Sequence, residues 1–389
     1  MPQYLSPGVY VEEVPPVALP IAGVGTSTAG FIGFVNGAVV MPDKPVKPGD
    51  PPAKFTVAPA GKAILITSWD NFKNNFGDFQ AGNALLAHAV FGFFNNGGTR
   101  CYVVRVAALA DLDNLTQELE ALAPIDEIAI VAVPGAVTDV QHTAIITHCS
   151  KLEDRFAILD GVESPAVLDE LSIAAGVGRS KAGSYAAVYF PWIQVFDPVT
   201  ETKINVPPSG HIAGIYARSD AERGVHKAPA NEVILGAVGL ERLLTKADQD
   251  GLNPNHINVI RSFNGAIKVW GARTRTDAAH ADFNYVSTRR FFNFMRESID
   301  EGTQFVVFEP NTPALWQRII RSVGDFLTNQ YNAGALFGLT PKQAFFVRCD
   351  ETTNPPAIRD LGQVVTEIGV AIVRPAEFVI FRIQQITGS

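Results

Sequence analysis

The sequence predicts a mixed α/β protein, α+β overall, with a parallel-sheet middle region, a helix-strand C-terminal domain, and extended β arms at both ends. Three observations lead there. From Cys101 onward, apolar runs at 101–106, 127–133 and 155–160 alternate with helical segments at 112–122 and 137–150, the pattern of βαβ units. Beyond residue 263 the order changes to two long amphipathic helices with short strand-like runs between and after them. The ends follow no helical period. Residues 1–22 hold five prolines, and 378–386 is an aromatic and β-branched run hinged at Arg374-Pro375.

A length of 389 residues suits two or three domains with a sizeable core. The hydrophobic fraction of 47% and charged fraction of 18% place the chain among globular proteins and away from disordered ones. A net charge of −8 argues against a general nucleic-acid surface, which needs a basic face. Cys101, Cys149 and Cys349 are odd in number, far apart, and each lies in or beside an apolar run. They read as buried reduced thiols of a protein made in a reducing cytoplasm. The N-terminus lacks the charged and apolar regions of a signal peptide, and no run reaches the length of a membrane span, so membrane insertion is not expected.

Taken in order, residues 1–22 form an extended arm in which Val9 and Val11 alternate with Tyr10 and Glu12, making 9–14, including Val14, a pairing segment. Residues 23–100 form the first part of the core. Ala29–Asn36 is a strand, and Met41–Ala60, with six prolines, is a surface loop. Ala63–Thr67 is a strand, Ser68 or Asp70 caps a short helix ending near Gly77, and a helix over 83–94 stops at Asn95-Asn96-Gly97-Gly98. Residues 101–262 form the α/β domain. It adds a helix at Pro165–Gly176, a strand at Tyr185–Val195, a hairpin excursion at Asp197–Pro208, a short helix after Asn231, and a strand at Leu240–Leu244. His256–Phe263 leads to a strand at Ala266–Trp270.

Residues 263–374 form the C-terminal domain. Thr288, Phe292, Met295 and Ile299 stack on one face of a helix over Tyr285–Ile299, and Arg289, Asn293, Arg296 and Asp300 form a polar stripe beside them. Gly302 stops that helix, and Gln304–Phe308 reads as a buried strand. Thr312 caps a second helix with Pro313 at its first position. Its apolar face carries Leu315, Trp316, Ile319, Ile320, Val323 and Leu327, while Arg318, Arg321 and Asp325 look outward. Ala344–Cys349 and Gln363–Val373 read as strands, and 375–389 is the C-terminal arm.

Parallel α/β architecture invites an enzyme reading, and the motifs do not support one. The stretch Gly23–Gly30 resembles a phosphate loop but lacks the Gly-Lys-Ser/Thr ending and follows a proline-rich arm where a strand is required. Gly176–Lys181 ends a helix where such a loop begins one. There is no Gly-x-Ser-x-Gly elbow and no His-Glu-x-x-His, and the seven histidines show no metal spacing. Asp111 and Asp113 read as caps of a helix beginning at Leu112 rather than calcium ligands. No catalytic, cofactor-binding or metal-binding residue is expected.

Several stretches together resemble one family. They are Ser6–Glu13, Phe93–Gly98, Pro208–Gly214, Trp270-Gly271-Ala272-Arg273-Thr274, Arg289-Arg290, Phe308-Glu309-Pro310-Asn311 and Arg374-Pro375-Ala376-Glu377-Phe378. In this order they resemble contractile tail sheath proteins, the outer tube of myophage tails, R-type pyocins and related injection systems. The resemblance implies a structural subunit that polymerises helically, in stacked hexameric rings, around an inner tube, with baseplate and terminator or cap proteins as further partners. Such a subunit is assembled in the bacterial cytoplasm and becomes part of a phage tail or a released tail-like particle. It also implies that the arms add as strands to neighbouring copies. The pairing residues would be Val9, Tyr10, Val11 and Val14 at one end, and Phe378, Val379, Ile380, Phe381 and Ile383 at the other. A charged helix of the C-terminal domain would touch the tube, with Arg289, Arg296, Arg318, Arg321 and Asp325 as candidates. The alternative is a soluble cytoplasmic α/β enzyme, a hydrolase or nucleotide-binding protein, whose terminal strands complete its own sheet.

Overall fold

A computed structural model describes residues 20–45, 47, 50–168, 171 and 179–380. They divide into two compact units, one of residues 23–297 with 372–380 and one of residues 20–22 with 298–371.

In the larger unit the chain forms β1 (Ala29–Phe34), β2 (Ala63–Ile66), α1 (Trp69–Phe76), α2 (Ala84–Asn95), β3 (Cys101–Val106) and α3 (Thr116–Leu122). There follow β4 (Ile130–Ala132), α4 (Asp139–Leu152), β5 (Phe156–Asp160), β6 (Ala186–Phe190), β7 (Ile193–Asp197), β8 (Thr202–Val206) and α5 (Ser209–Arg223). The unit continues with β9 (Glu232–Val233), β10 (Ala237–Leu240), α6 (Lys246–Leu252), β11 (Ile257–Phe263), β12 (Ala266–Val269) and the first part of α7 (Val286–Gly302). Six strands in the order β3-β1-β4-β5-β6-β11 run parallel. Antiparallel β2 extends one edge, and β12 and β9 extend the other.

Parallel strands are buried on both faces, so successive residues must point into two different cores. Phe31, Val103, Ile130 and Phe156 pack with α2 and α5 through Leu86, Val90, Phe93, Ile212 and Tyr216. Their neighbours Ile32, Val104, Val131 and Ala157 pack on the opposite face with α3 and α4 through Leu119, Leu122, Ile145 and Cys149. The crossing of α2 with α5 is set by missing side chains. A Cβ at Gly210 would lie 2.4 Å from the Ala89 backbone, and one at Gly214 2.4 Å from the Phe93 carbonyl oxygen. A smaller sheet, β10-β7-β8, carries the expected hairpin excursion between β7 and β8.

The smaller unit holds the end of α7, then α8 (Pro313–Asn332), α9 (Pro341–Ala344), β13 (Phe345–Arg348), α10 (Pro356–Arg359) and β14 (Glu367–Val370). Thr312 stands at the N-cap of α8 with Pro313 inside it. Leu315, Trp316, Ile319, Val323, Phe326 and Leu327 form its buried stripe. Ile21 is buried in this unit against Gly302. β13 and β14 form a two-stranded antiparallel sheet in which Phe346 lies opposite Gly369.

Several local expectations are corrected. Gln304–Phe308 is no strand. Gln304–Val306 is a 3-10 turn, and the Glu309 N–H then donates to the Val306 carbonyl at 3.1 Å. Val307 at φ −66°, ψ 129° and Phe308 at φ +66° make that second turn type II. The helix beginning at Leu112 starts instead at Thr116. Asp111 closes a 3-10 turn by accepting the Ala108 N–H at 2.9 Å, so neither it nor Asp113 caps a helix there. After Asn231 comes strand β9 rather than a helix, because the Asn231 N–H donates to Val269 O and lays the segment along β12. Tyr185–Val195 is two strands, β6 and β7, broken at Pro191 by a cis peptide bond. The expected strand at Leu240–Leu244 ends at Leu240, and within Gln363–Val373 the strand is Glu367–Val370, β14. The helix expected over Pro165–Gly176 lies mostly outside the described residues.

Candidate functional site

The C-terminal tail has two contrasting parts within four residues. Phe378, Val379 and Ile380 are 71%, 68% and 77% exposed and belong to no strand. Just before them Glu377 is held by four donors. Arg273 donates from Nε at 2.9 Å and from Nη2 at 2.8 Å, Asn253 Nδ2 at 2.9 Å, and the Tyr285 hydroxyl at 2.9 Å. Burial alone would raise the Glu377 carboxyl, but these donors hold it below the usual carboxylate range. Each donor stands on a structured piece of the larger unit. Asn253 follows α6, Arg273 follows β12, and Tyr285 precedes α7, with a backbone bridge between Arg273 and Tyr285. Arg273 is fixed further, its N–H donating to Asn258 Oδ1 at 2.7 Å and its Nη1 to the Asn253 carbonyl at 3.0 Å. A second, exposed tie joins Arg374 to Asp282 at 2.8 Å.

The polar stripe on α7 is not the outward face expected of it. Arg289 is buried, with its guanidinium 3.4 Å from the centre of the Phe283 ring and 4.2 Å from that of Tyr185. Its Nη2 donates to Ser184 Oγ at 2.8 Å, and burial pushes its pKa down to about 10. Arg289 therefore cannot be an exposed contact. The reason is that α7 is covered on more sides than a single apolar stripe implies, with Val286, Thr288, Arg290, Phe291 and Asn293 buried too. Arg290 makes a two-pronged ion pair with Asp220, at 2.9 and 2.6 Å, and also donates to the Thr26 carbonyl at 2.9 Å. Thr26 Oγ1 donates to the same Asp220 at 2.6 Å. Arg296 is exposed and pairs with Glu153. On α8, Arg321 and Asp325 are exposed as expected, and Arg318 is partly exposed, pairing with Glu309 at 3.4 Å and stacking over Phe305.

The glycine-rich stretch before β1 is a packing segment. Strand β1 follows it where a phosphate loop needs a helix, and Gly23 lies against Phe294. The larger unit also places a carboxylate at a helix start, a position the sequence did not flag. Asp160, at the end of β5, accepts from the Ser209 N–H at 2.9 Å, Ser209 Oγ at 2.7 Å and the Gly135 N–H at 3.1 Å. It does for α5 what the N-cap residue Pro208 cannot do with a side chain. Burial holds its pKa up at about 7 against those donors. Among the described residues no group of three or more His, Cys, Asp or Glu could hold a metal ion, and no helix is long and apolar enough to cross a membrane. Cys101, Cys149 and Cys349 are buried free thiols, and burial pushes Cys149 up to about 12.

The arm residues Val9, Tyr10, Val11, Val14, Phe381 and Ile383 lie outside the described residues. The sequence reading missed the Glu377 site, although Arg273 and Glu377 each stand in a singled-out stretch. Nothing in the spacing pairs two residues so far apart.

The fold and this site define a class: a mixed α/β protein that presents an exposed apolar run, Phe378–Ile380, tied at its root. Comparison carries the identification further. The phage tail sheath protein central domain matches residues 110–275, and the phage tail sheath C-terminal domain matches residues 278–386. The anti-feeding prophage baseplate contains a chain 30% identical, with a TM-score of 0.75, covering 99% of this chain and 100% of that one. The sheath complex of PVC, an extracellular contractile injection system, in its contracted state gives 29% identity and a TM-score of 0.76, covering 99% of both chains. The tail sheath protein of Vibrio phage KVP40 is 27% identical over 57% of this chain, and the match spans 31% of that protein's length. The chain belongs to the phage tail sheath family and is a structural subunit of contractile sheaths.

Proposed function

We propose that this chain polymerises helically, in stacked hexameric rings, around an inner tube, and that the polymer shortens to drive the tube through a target envelope. It stands on a baseplate, is closed by terminator or cap proteins, and is assembled in the bacterial cytoplasm. It performs no catalysis. Full-length similarity to the anti-feeding prophage and PVC chains supports a released injection particle, and the six-fold symmetrisation of that prophage baseplate supports rings of six. The match to the curated phage protein spans less than two thirds of that protein's length.

The observation that carries this reading is the exposed apolar run Phe378–Ile380 directly after a fixed root. A β-branched and aromatic segment that leaves its own subunit's sheets unpaired is suited to add as a strand to a second copy. β13 and β14 give such a strand a place to add, since a two-stranded sheet is marginal alone and, among the described residues, both of its strands are edges. Deleting residues 378–389 from the full chain tests this. The truncated subunit should melt as the intact one does yet form no long tubes by negative-stain microscopy. Tubes of normal length would sink the arm reading.

A further inference from the structure

We propose that Glu377 is the anchor of the C-terminal arm, a positioning residue that fixes where the arm leaves the subunit and passes its load to Arg273, Asn253 and Tyr285. The inference rests on the reading that the arm engages a second copy.

Three observations carry it. First, the carboxylate is saturated. An ionised carboxylate has about four acceptor sites, and here four donor atoms on three side chains converge on it within 2.9 Å. A residue with no role in holding the tail needs no such set. Second, the receiving groups are held in turn. Arg273 is bound through its main chain and its guanidinium to Asn258 and Asn253, and Asn258 Nδ2 donates to the Arg273 carbonyl at 2.8 Å. Third, burial stops at one residue. Glu377 is partly buried, whereas Phe378 and everything described after it is exposed. The nearby Arg374–Asp282 pair is exposed on both sides and contributes little. The two-pronged Arg273 contact is the one with directional strength.

A fixed root has a definite effect on pairing. The effective concentration of a tethered strand at its target falls as slack in the tether grows. With the root pinned at Glu377, the only slack lies beyond Ala376. Released, the arm would also gain the residues back to the weak, exposed Arg374–Asp282 tie, and its encounters with a neighbouring strand edge would become rarer.

The experiment compares Glu377→Gln, Arg273→Lys and the deletion of 378–389, each in the full chain. Subunit melting temperature and the number and length of sheath tubes by negative stain are the readouts. Glu377→Gln keeps the side chain's size and removes the charge. It should shift melting by no more than about 5 °C while cutting the yield of long tubes on the order of tenfold. Arg273→Lys keeps the charge and loses the planar fork, and should give an intermediate yield. Wild-type tube number and length in Glu377→Gln, with none in the deletion, overturns the anchor and leaves the arm reading intact. Normal tubes in the deletion remove the arm reading and the anchor with it. If Glu377→Gln fails to fold, Arg273→Lys decides: wild-type yield overturns the anchor, and reduced yield at unchanged melting supports it.

Discussion

Single residues in this protein carry charge in places where solvent is absent, and Asp160 shows the consequence most clearly. Its carboxyl is fully buried and titrates at about 7, whereas in the unfolded chain an aspartate titrates at about 3.9. Between those values the folded state binds the extra proton, so stability falls as pH rises. Three pKa units correspond to roughly 4 kcal/mol, and the part crossed between pH 5 and 8 is about 2–3 kcal/mol. Asp160→Asn cannot ionise and should lack this slope. His211, pushed by burial down to about 3, and His256, pushed to about 4, work in the opposite sense. Both stay neutral in the fold, so they add stability as pH rises through about 6.5. They are common to both proteins and cancel in the comparison. Urea midpoints of the wild type and Asp160→Asn from pH 5 to 8 test the assignment. Parallel curves would show that the buried carboxyl does not titrate in that range.

At the scale of elements, α2 and α5 meet through glycine and alanine, which brings the backbones closer than larger side chains allow. Gly210→Ala places a methyl 2.4 Å from the Ala89 backbone, where nothing flexible can give way. A loss of about 3 kcal/mol or more is expected, read as a lower urea midpoint. Gly251→Ala in α6, where a Cβ meets nothing within 4 Å, is the control. It should be neutral or gain up to about 1 kcal/mol. Equal effects at the two sites would remove close packing as the reason for the glycine. The same pair of helices shows what the sequence makes legible. Phe93–Gly98 and Pro208–Gly214 stand out in the chain, but that they face each other is a tertiary fact. The βαβ alternation was readable because each parallel strand must be apolar on both faces. Gln304–Phe308 was misread because an apolar run carries strand propensity whether or not a partner strand is present, and here none pairs with it among the described residues. Arg289 was misread because spacing shows a stripe but not how many neighbours cover a helix. The Glu377 site was illegible for a plainer reason: its donors lie 92 to 124 residues away.

For the whole molecule, the candidates for touching the proposed inner tube that are not buried are Arg296, Arg318, Arg321 and Asp325. Arg321 and Asp325 share an exposed side of α8, and Arg318 is only loosely engaged by Glu309 at 3.4 Å. Exposed pairs of this kind contribute at most about 1 kcal/mol to a fold. Arg318→Glu with Arg321→Glu should therefore leave subunit melting nearly unchanged while abolishing assembly on the tube, as seen by co-sedimentation and negative stain. Unimpaired assembly would exclude docking through these charges.

The distance along the chain between Glu377 and its donors also sets an order in time. At translation rates of about 5–20 residues per second, the 92 residues separating Tyr285 from Glu377 take roughly 5–18 s to add. Asn253 and Arg273 emerge earlier still, as do all the strands of the nine-stranded sheet. A parallel sheet of this kind forms slowly, because its strand pairs are far apart in sequence. The delay lets it begin to close before the apolar run at 378–380 exists. The segment we propose adds to another copy is thus synthesised after the socket that restrains it, which would shorten the period in which a half-folded chain could be seized by its neighbours.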